Sequence, residues 1–282
     1  MDKISELLKK VDALPASPAL LPKLAYALRD INNTNVHEVV DIIMFDSSLT
    51  AKLLQIANSA YFGNATPLTS VGDAITQVGY DAVYLLAASI TGESCLRSAP
   101  GTGLDAVLLW RHSVTTAFGA QQVAQAAGLD GNMLFTAGLL HDLGKVVFAG
   151  THGKDYTCMF DPAIRGSLSL IEWENAQYGC DHAGVGAALL ERWKLPAAIF
   201  VAVRFHHQPS AAGESAPHSA CIRLGNILSR ALDQPSFILD PANPGLQSAL
   251  QLVNLTATDL DDQLNHIRQN WEFVQQLCNL RK

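Results

Sequence analysis

The stretch LDAVLLWRHSVTTAFGAQQVAQAAG, from Leu104 to Gly128, decides the fold class. It reads as one long helix from about Leu104 to Ala127. Gly128 stands where helices commonly end, because glycine takes the left-handed conformation without a Cβ penalty. Outward from this stretch the apolar period stays helical in both directions. Downstream, a helix is expected from about Asn132 to Asp142, stopping near Gly144, followed by a polar, Gly-rich stretch from Gly150 to Gly166. Ser169-x-x-Glu172 opens the next segment, Asp181 caps a helix through Trp193, and Pro196 begins another that ends at His206-His207. Pro217 starts a helix to about Leu232, and a loop from Asp233 to Gly245 separates it from a penultimate helix carrying Leu246, Leu250 and Val253. Thr256-x-x-Asp259 caps a final helix with Leu260, Leu264, Ile267, Trp271 and Val274 on one stripe.

Upstream, Ser98 to Gly103 concentrates chain breakers and is the expected boundary of the first third. That third opens with a short helix on Ile4, Leu7, Leu8 and Val11, stopped by a Pro-rich joint from Leu14 to Pro18. A second helix enters at Pro22 and carries Leu24, Leu28 and Ile31, and Asn32 to Asn35 makes a turn. Val36, Val39, Val40 and Ile43 line a third, and Asp46-Ser47-Ser48 caps a fourth with Leu49, Leu53 and Ile56. Ser70-x-x-Asp73 opens a helix with Val71, Ile75 and Val78, and Val83, Leu86 and Ile90 continue after Gly79. Strand-like alternation of useful length is absent, so the expected class is all-α. Three parts are expected: an N-terminal helical unit (1–100), a central helical unit (101–235) and a C-terminal helical extension (236–282) packing on the same module.

Across 282 residues, 49% are hydrophobic and 16% charged, which excludes a disordered tail and leaves ample material for a core. Nineteen basic against 26 acidic side chains leave a net charge of −7, which argues against a wide basic surface for nucleic acid or anionic lipid. No window approaches the ~18 apolar residues of a membrane span, and the N-terminus lacks a signal peptide's apolar core. The expectation is a soluble, cytoplasmic protein. Five well-separated cysteines without a C-x-x-C pair read as reduced thiols, most of them core filler.

Nine histidines are present, and His112, His141, His182, His206 and His207 each sit on or at the end of a helix with an apolar face. Ile199 and Val203 lie seven and three residues before His206, which turns that ring toward the core. A lone histidine on an apolar face is more often a hydrogen-bonded core residue than a ligand. Several converging imidazoles, joined by the carboxylate of Asp142, would instead suit a divalent transition metal. Lys145 has two readings: a contact for a substrate phosphate, or a last-turn cation that complements a helix dipole. Arg111 and Arg204 read as phosphate contacts or, preferably, surface charges, and Asn58 to Gly63 as a helix cap and packed turn, with a partner-binding edge as the second reading.

Leu139-Leu-His-Asp-Leu-Gly-Lys145, preceded by Leu109-Trp-Arg-His-Ser113, resembles the core of the HD superfamily of metal-dependent phosphohydrolases. Leu14-Pro15, Ala51 to Gly63 and Ser70-Val71-x-x-Ala74-Ile75-x-x-x-Gly79 resemble its HDOD branch. Asp181-His182, Trp193-x-Leu195-Pro196 and Phe205-His206-His207-x-Pro209 complete that resemblance over roughly residues 5 to 230. It implies an HD-like helical bundle with an N-terminal HDOD subdomain, acting as a non-catalytic interaction or sensory module in bacterial signal transduction, with a protein as its partner. It also implies metal ligation by His112, His141 and Asp142, with His182, His206 and His207 completing a His-rich pocket. The alternative is a metal-dependent phosphohydrolase of nucleotides or phosphate esters, with Asp142 and Lys145 as candidate catalytic groups. Asn226 stands where the catalytic relatives are aligned with a ligating Asp, and this loss of charge weakens the site. The related HD-GYP phosphodiesterases carry Gly-Tyr-Pro after the paired histidines, where this chain has Gln208 to Gly213, and a Glu where this chain has Leu108. At most one divalent ion, of iron, manganese, nickel or zinc, is therefore expected.

Overall fold

Asp105 accepts from the backbone N–H groups of Val107 and Leu108, and Gly128 turns left-handed at φ +71°, so the chain between them winds into one 21-residue helix. The computed structural model describes residues 3–10, 20, 22–23, 36–63, 66–96, 102–161, 164, 166–233 and 240–279, and no strand occurs among them. In chain order the helices are α1 (Lys3–Lys10), α2 (Val36–Met44), α3 (Ser47–Ala57), α4 (Val71–Val78), α5 (Tyr80–Cys95), α6 (Ala106–Ala126), α7 (Gly131–Leu140) and α8 (Leu143–His152). They continue as α9 (Lys154–Thr157), α10 (Leu170–Tyr178), α11 (His182–Arg192), α12 (Ala197–Arg204), α13 (Ala216–Asp233), α14 (Pro244–Leu252), α15 (Ala257–Gln269) and α16 (Trp271–Cys278). Ser70, Ser169 and Thr256 each close a capping box, at the three starts the sequence marks.

Helix α6 is the axis of the bundle: α13 lies along it on one side, α7 on another, and α15 and α16 cover a third. Two glycines permit the closest approach. A Cβ on Gly119 would lie 2.8 Å from the Cα of Gly225, and one on Gly225 would lie 2.5 Å from the carbonyl oxygen of Thr116. Helices α2 to α5 join this bundle through α5, which packs on α7, whereas α1 packs directly on α11 and α8. There Tyr84 and Thr136 share a buried hydroxyl–hydroxyl bond, and Asn132 donates to Asp81 at 2.9 Å. The indole N–H of buried Trp110 donates to the carbonyl of Leu277 at 3.0 Å, tying α16 to α6.

Three expectations need correcting. The chain does not leave helix at Gly144: α7 ends at Leu140, His141 and Asp142 make a two-residue turn, and α8 runs on through His152. Gly144 instead serves close packing, since a Cβ there would lie 2.0 Å from the carbonyl oxygen of His182. The final helix is broken in two at Asn270, whose side-chain amide bonds the carbonyl of His266. Residues 131–152 are long and apolar enough to cross a membrane, at a mean hydropathy of 1.2 over 18 residues, but 83% of that window is buried within the protein, where it forms core. The proposed helix on Leu24, Leu28 and Ile31, the Pro-rich joint at 14–18, the turn at 32–35 and the breakers at 98–101 lie outside the described residues. Asn58 does play its structural part, bonding Leu68 through both backbone groups at 2.7 and 2.9 Å.

Gly119→Ala and Gly144→Ala are each expected to destabilise the protein by about 1–3 kcal/mol, because helical backbones rather than flexible side chains must part. Urea unfolding midpoints measure this. An unchanged midpoint for both would contradict the close packing.

Candidate metal centre

Four separate stretches deliver the predicted side chains to one place. His112 comes from the second turn of α6, His141 and Asp142 from the turn between α7 and α8, His182 from the first turn of α11, and His206 and His207 from the turn after α12. Asp181 positions His182 by capping α11 through a 2.8 Å bond from the Gly184 N–H. All six converge. Nitrogen and oxygen donors of His112, His141 and Asp142 lie within 4.8 Å of one another, as do those of His182, His206 and His207. Asp142 joins the two trios: Oδ2 lies 3.3 Å from His141 Nε2 and 3.6 Å from His112 Nε2, while Oδ1 lies 3.4 Å from His182 Nε2.

Hydrogen-bond partners assign the protons. The carbonyl of Gly138 lies 2.7 Å from His141 Nδ1, and that of Val203 lies 2.6 Å from His206 Nδ1. A carbonyl only accepts, so each Nδ1 carries a proton and the opposite nitrogen of the neutral ring is a bare lone pair. Both Nε2 atoms are buried and make no hydrogen bond among the described residues, nor does Asp142 Oδ1. The bare Nε2 of His141 faces the Asp142 carboxylate across 3.3 Å, where the two repel one another unless a cation lies among them. This donor set fits a divalent transition-metal ion.

Burial holds His112 down to about 3, against the opposing pull of Asp142, and it likewise lowers His141, His206 and His207. Burial opposes the charge of Asp142 too. The groups around it, with the Lys145 ammonium bonded at 2.6 Å, outweigh burial and keep that carboxyl well below its ordinary range.

Lys145 corrects one reading and bears on the other. It sits in the first turn of α8, so it cannot complement a helix C-terminus, and its ammonium binds Asp142 Oδ2 at 2.6 Å. It also lines a cavity of about 1040 Å³ that opens beside His112, His182 and His207. Arg204, Arg223 and Arg230 line the same cavity, so Arg204 is not merely a surface charge, whereas Arg111 is, in an ion pair with Asp233 at 2.7 Å. Asn226 lies at this wall as well, its Oδ1 buried and without a hydrogen bond.

Sequence reasoning missed Arg223 and Arg230, although their spacing around Asn226, three and four residues, puts all three on one helical face. Glu174 was missed for a better reason. It looks like any helical glutamate, yet it is fully buried, accepting from Tyr156 Oη at 2.6 Å through one oxygen and from His182 N and Nδ1 at 2.9 and 2.7 Å through the other. Burial and the Glu174 carboxylate push the Tyr156 phenol well above its ordinary range, so it remains a donor.

Residues 14–209 match the model of the HDOD domain family. An uncharacterized protein of Treponema pallidum (strain Nichols) is 29% identical over 229 residues, 79% of this chain but 44% of the relative, so the chain spans less than half of that relative's length. Among solved structures, an HDOD domain protein of unknown function from Geobacter sulfurreducens superposes with a TM-score of 0.78 at 23% identity, covering 99% of this chain and 97% of the other. A proposed signal transduction protein from Marinobacter aquaeolei VT8 gives 0.76 at 19% identity, covering 99% and 65%. A proposed phosphohydrolase from Shewanella amazonensis SB2B gives 0.73 at 22% identity, covering 96% and 97%. At these identities the structures establish a shared fold.

The depressed imidazoles predict a pH-dependent stability. In the unfolded chain each ring takes up its proton near 6.5, whereas the folded rings resist, His112 down to about 3. Unfolding therefore binds protons as the pH falls below 6.5, and each such ring costs up to about 1.4 kcal/mol per pH unit. Asp142 extends the loss below 3.8, where its unfolded carboxyl protonates first. With chelator present, the thermal midpoint should fall steadily from pH 7 to pH 5. A flat profile would refute the neutral, buried state of these rings.

Proposed function

Because this chain belongs to the HDOD domain family, we propose that it is a regulatory module of bacterial signalling that binds one divalent transition-metal ion in its His-rich centre and turns over phosphate esters poorly or not at all. One observation carries the metal part of this reading. The Nε2 atoms of His141 and His206 and the Oδ1 of Asp142 are buried acceptors that lack hydrogen-bond partners among the described residues, and they belong to two adjoining groups of donors. His182, His206, His207 and Asp142 Oδ1 would hold the ion. On the other side of the carboxylate, Lys145 already neutralises Oδ2, which disfavours a second ion beside His112 and His141. The uncharged amide of Asn226 works in the same direction.

A bound divalent ion supplies Lewis acidity and an activated water, and two ions together stabilise attacking and leaving oxygens in phosphoryl displacement. The chain's own residues prepare binding better than that displacement. Neutral imidazoles offer their nitrogens without first releasing protons. Arg204, Arg223 and Arg230 supply positive charge along a cavity wall that also carries Glu172 and Asp181, and these three guanidinium groups suit a phosphorylated small molecule that would be held and read out rather than cleaved. The proposed partner in that role is another protein of a cytoplasmic signalling pathway. The same cationic wall is the feature that favours the second reading, a metal-dependent phosphohydrolase.

Elemental analysis of protein purified without chelator is expected to give at most one iron, manganese, nickel or zinc ion per chain, lost in His182→Ala and in His206→Ala. Asn226→Asp should bind the ion more tightly. Neither cyclic dinucleotides, nucleoside phosphates nor an aryl phosphate should be hydrolysed appreciably with added manganese or iron. Robust hydrolysis by the unmodified protein, abolished by His141→Ala, would establish the phosphohydrolase instead.

A further inference from the structure

Behind the ring of His182, on the side away from Asp142, lies a carboxylate that none of the proposed ligand roles requires. Glu174 is fully buried in α10, and its three hydrogen-bond partners are all donors: the Tyr156 hydroxyl on Oε1, and the His182 backbone N–H and ring Nδ1 on Oε2. A carboxylate buried this deeply is costly unless each oxygen is satisfied, and here each is. Its position is set by two bonds to the same residue, one to main chain and one to side chain, so both the ring's place and its rotation are held. Tyr156 closes the arrangement from α9 and stops Glu174 from swinging away.

We infer that Glu174 is the positioning residue of the centre: it holds His182 as the Nδ1–H tautomer and so presents a bare Nε2 to the metal side. This inference rests on the metal-binding reading above but has a consequence in the metal-free protein. With Nδ1–H committed to Glu174, the neutral ring has only a lone pair at Nε2. The 3.0 Å contact between His182 Nε2 and His207 Nε2 then requires His207 to be the donor, carrying its proton on Nε2. His207 must move that proton to Nδ1 before its own Nε2 can ligate, whereas His182 is ready at once. A carboxylate behind an imidazole also raises the basicity of the ligating nitrogen, and removing such partners typically weakens metal binding roughly 10- to 100-fold.

Two measurements test the inference. Two-bond proton–nitrogen correlation spectra of the full chain in chelator, assigned by comparison with His182→Ala and His207→Ala, should show His182 protonated at Nδ1 and His207 at Nε2. A His182 ring protonated at Nε2 overturns the proposal whether or not the protein binds metal. Glu174→Gln keeps the shape and removes the charge. It should leave the thermal midpoint of the metal-free protein within a few degrees while raising the Kd for zinc and for manganese roughly 10- to 100-fold, by competition with a chelator. A stable Glu174→Gln protein with unchanged Kd overturns it as well. If the unmodified protein binds neither ion, the metal-binding reading fails by itself, and the spectra alone then decide what Glu174 does to His182.

Discussion

One buried carboxylate organises the centre of this protein. Asp142 lies in the two-residue turn between α7 and α8, and three imidazoles and an ammonium approach its two oxygens from α6, α8, α11 and the turn itself. A charge so far from water is stable only while these groups surround it, and they are otherwise held apart by three different helices. The polar interior therefore depends on the packing of the helices, and the packing encloses a centre whose acceptors outnumber its donors. That imbalance, rather than the count of histidines, distinguishes a metal centre from a satisfied polar core.

Backbone contact supplies the tolerance such a centre needs. At Gly144 the first turn of α8 rests on the carbonyl of His182, two residues after Asp142 and at the residue that faces its Oδ1. At Gly119 and Gly225, α6 and α13 touch two turns from His112 and directly beside Asn226. Interhelical distance at both points is limited by main-chain atoms, which do not change rotamer. The ligands thus inherit positions defined to within the compressibility of a close-packed interior.

Much of this was legible in the sequence, and the parts that were not have identifiable causes. Capping boxes at Ser70, Ser169 and Thr256 and the left-handed Gly128 are local signals, and the structure obeys them. The convergence of the six candidate ligands followed from a family resemblance, because no local pattern relates residue 112 to residue 206. Gly144 misled because a glycine that permits close packing and a glycine that ends a helix are identical in sequence. Asn270 misled in the opposite sense: the apolar stripe continues through it, while its side chain captures a carbonyl and interrupts the helix. Glu174 left no trace at all, since its burial is decided by Tyr156 and His182, 18 and 8 residues away.

The bond from Trp110 to Leu277 has a meaning in time as well as in space. It spans 167 residues of sequence and ends two residues before the first predicted ligand, His112. During synthesis at ~5–20 residues per second, the Trp110 indole waits roughly 10–30 s for its acceptor to be made. Until then the helix that carries His112 lacks the partner that seals its buried face. The packing around His112 is thus completed only after Leu277 has been made.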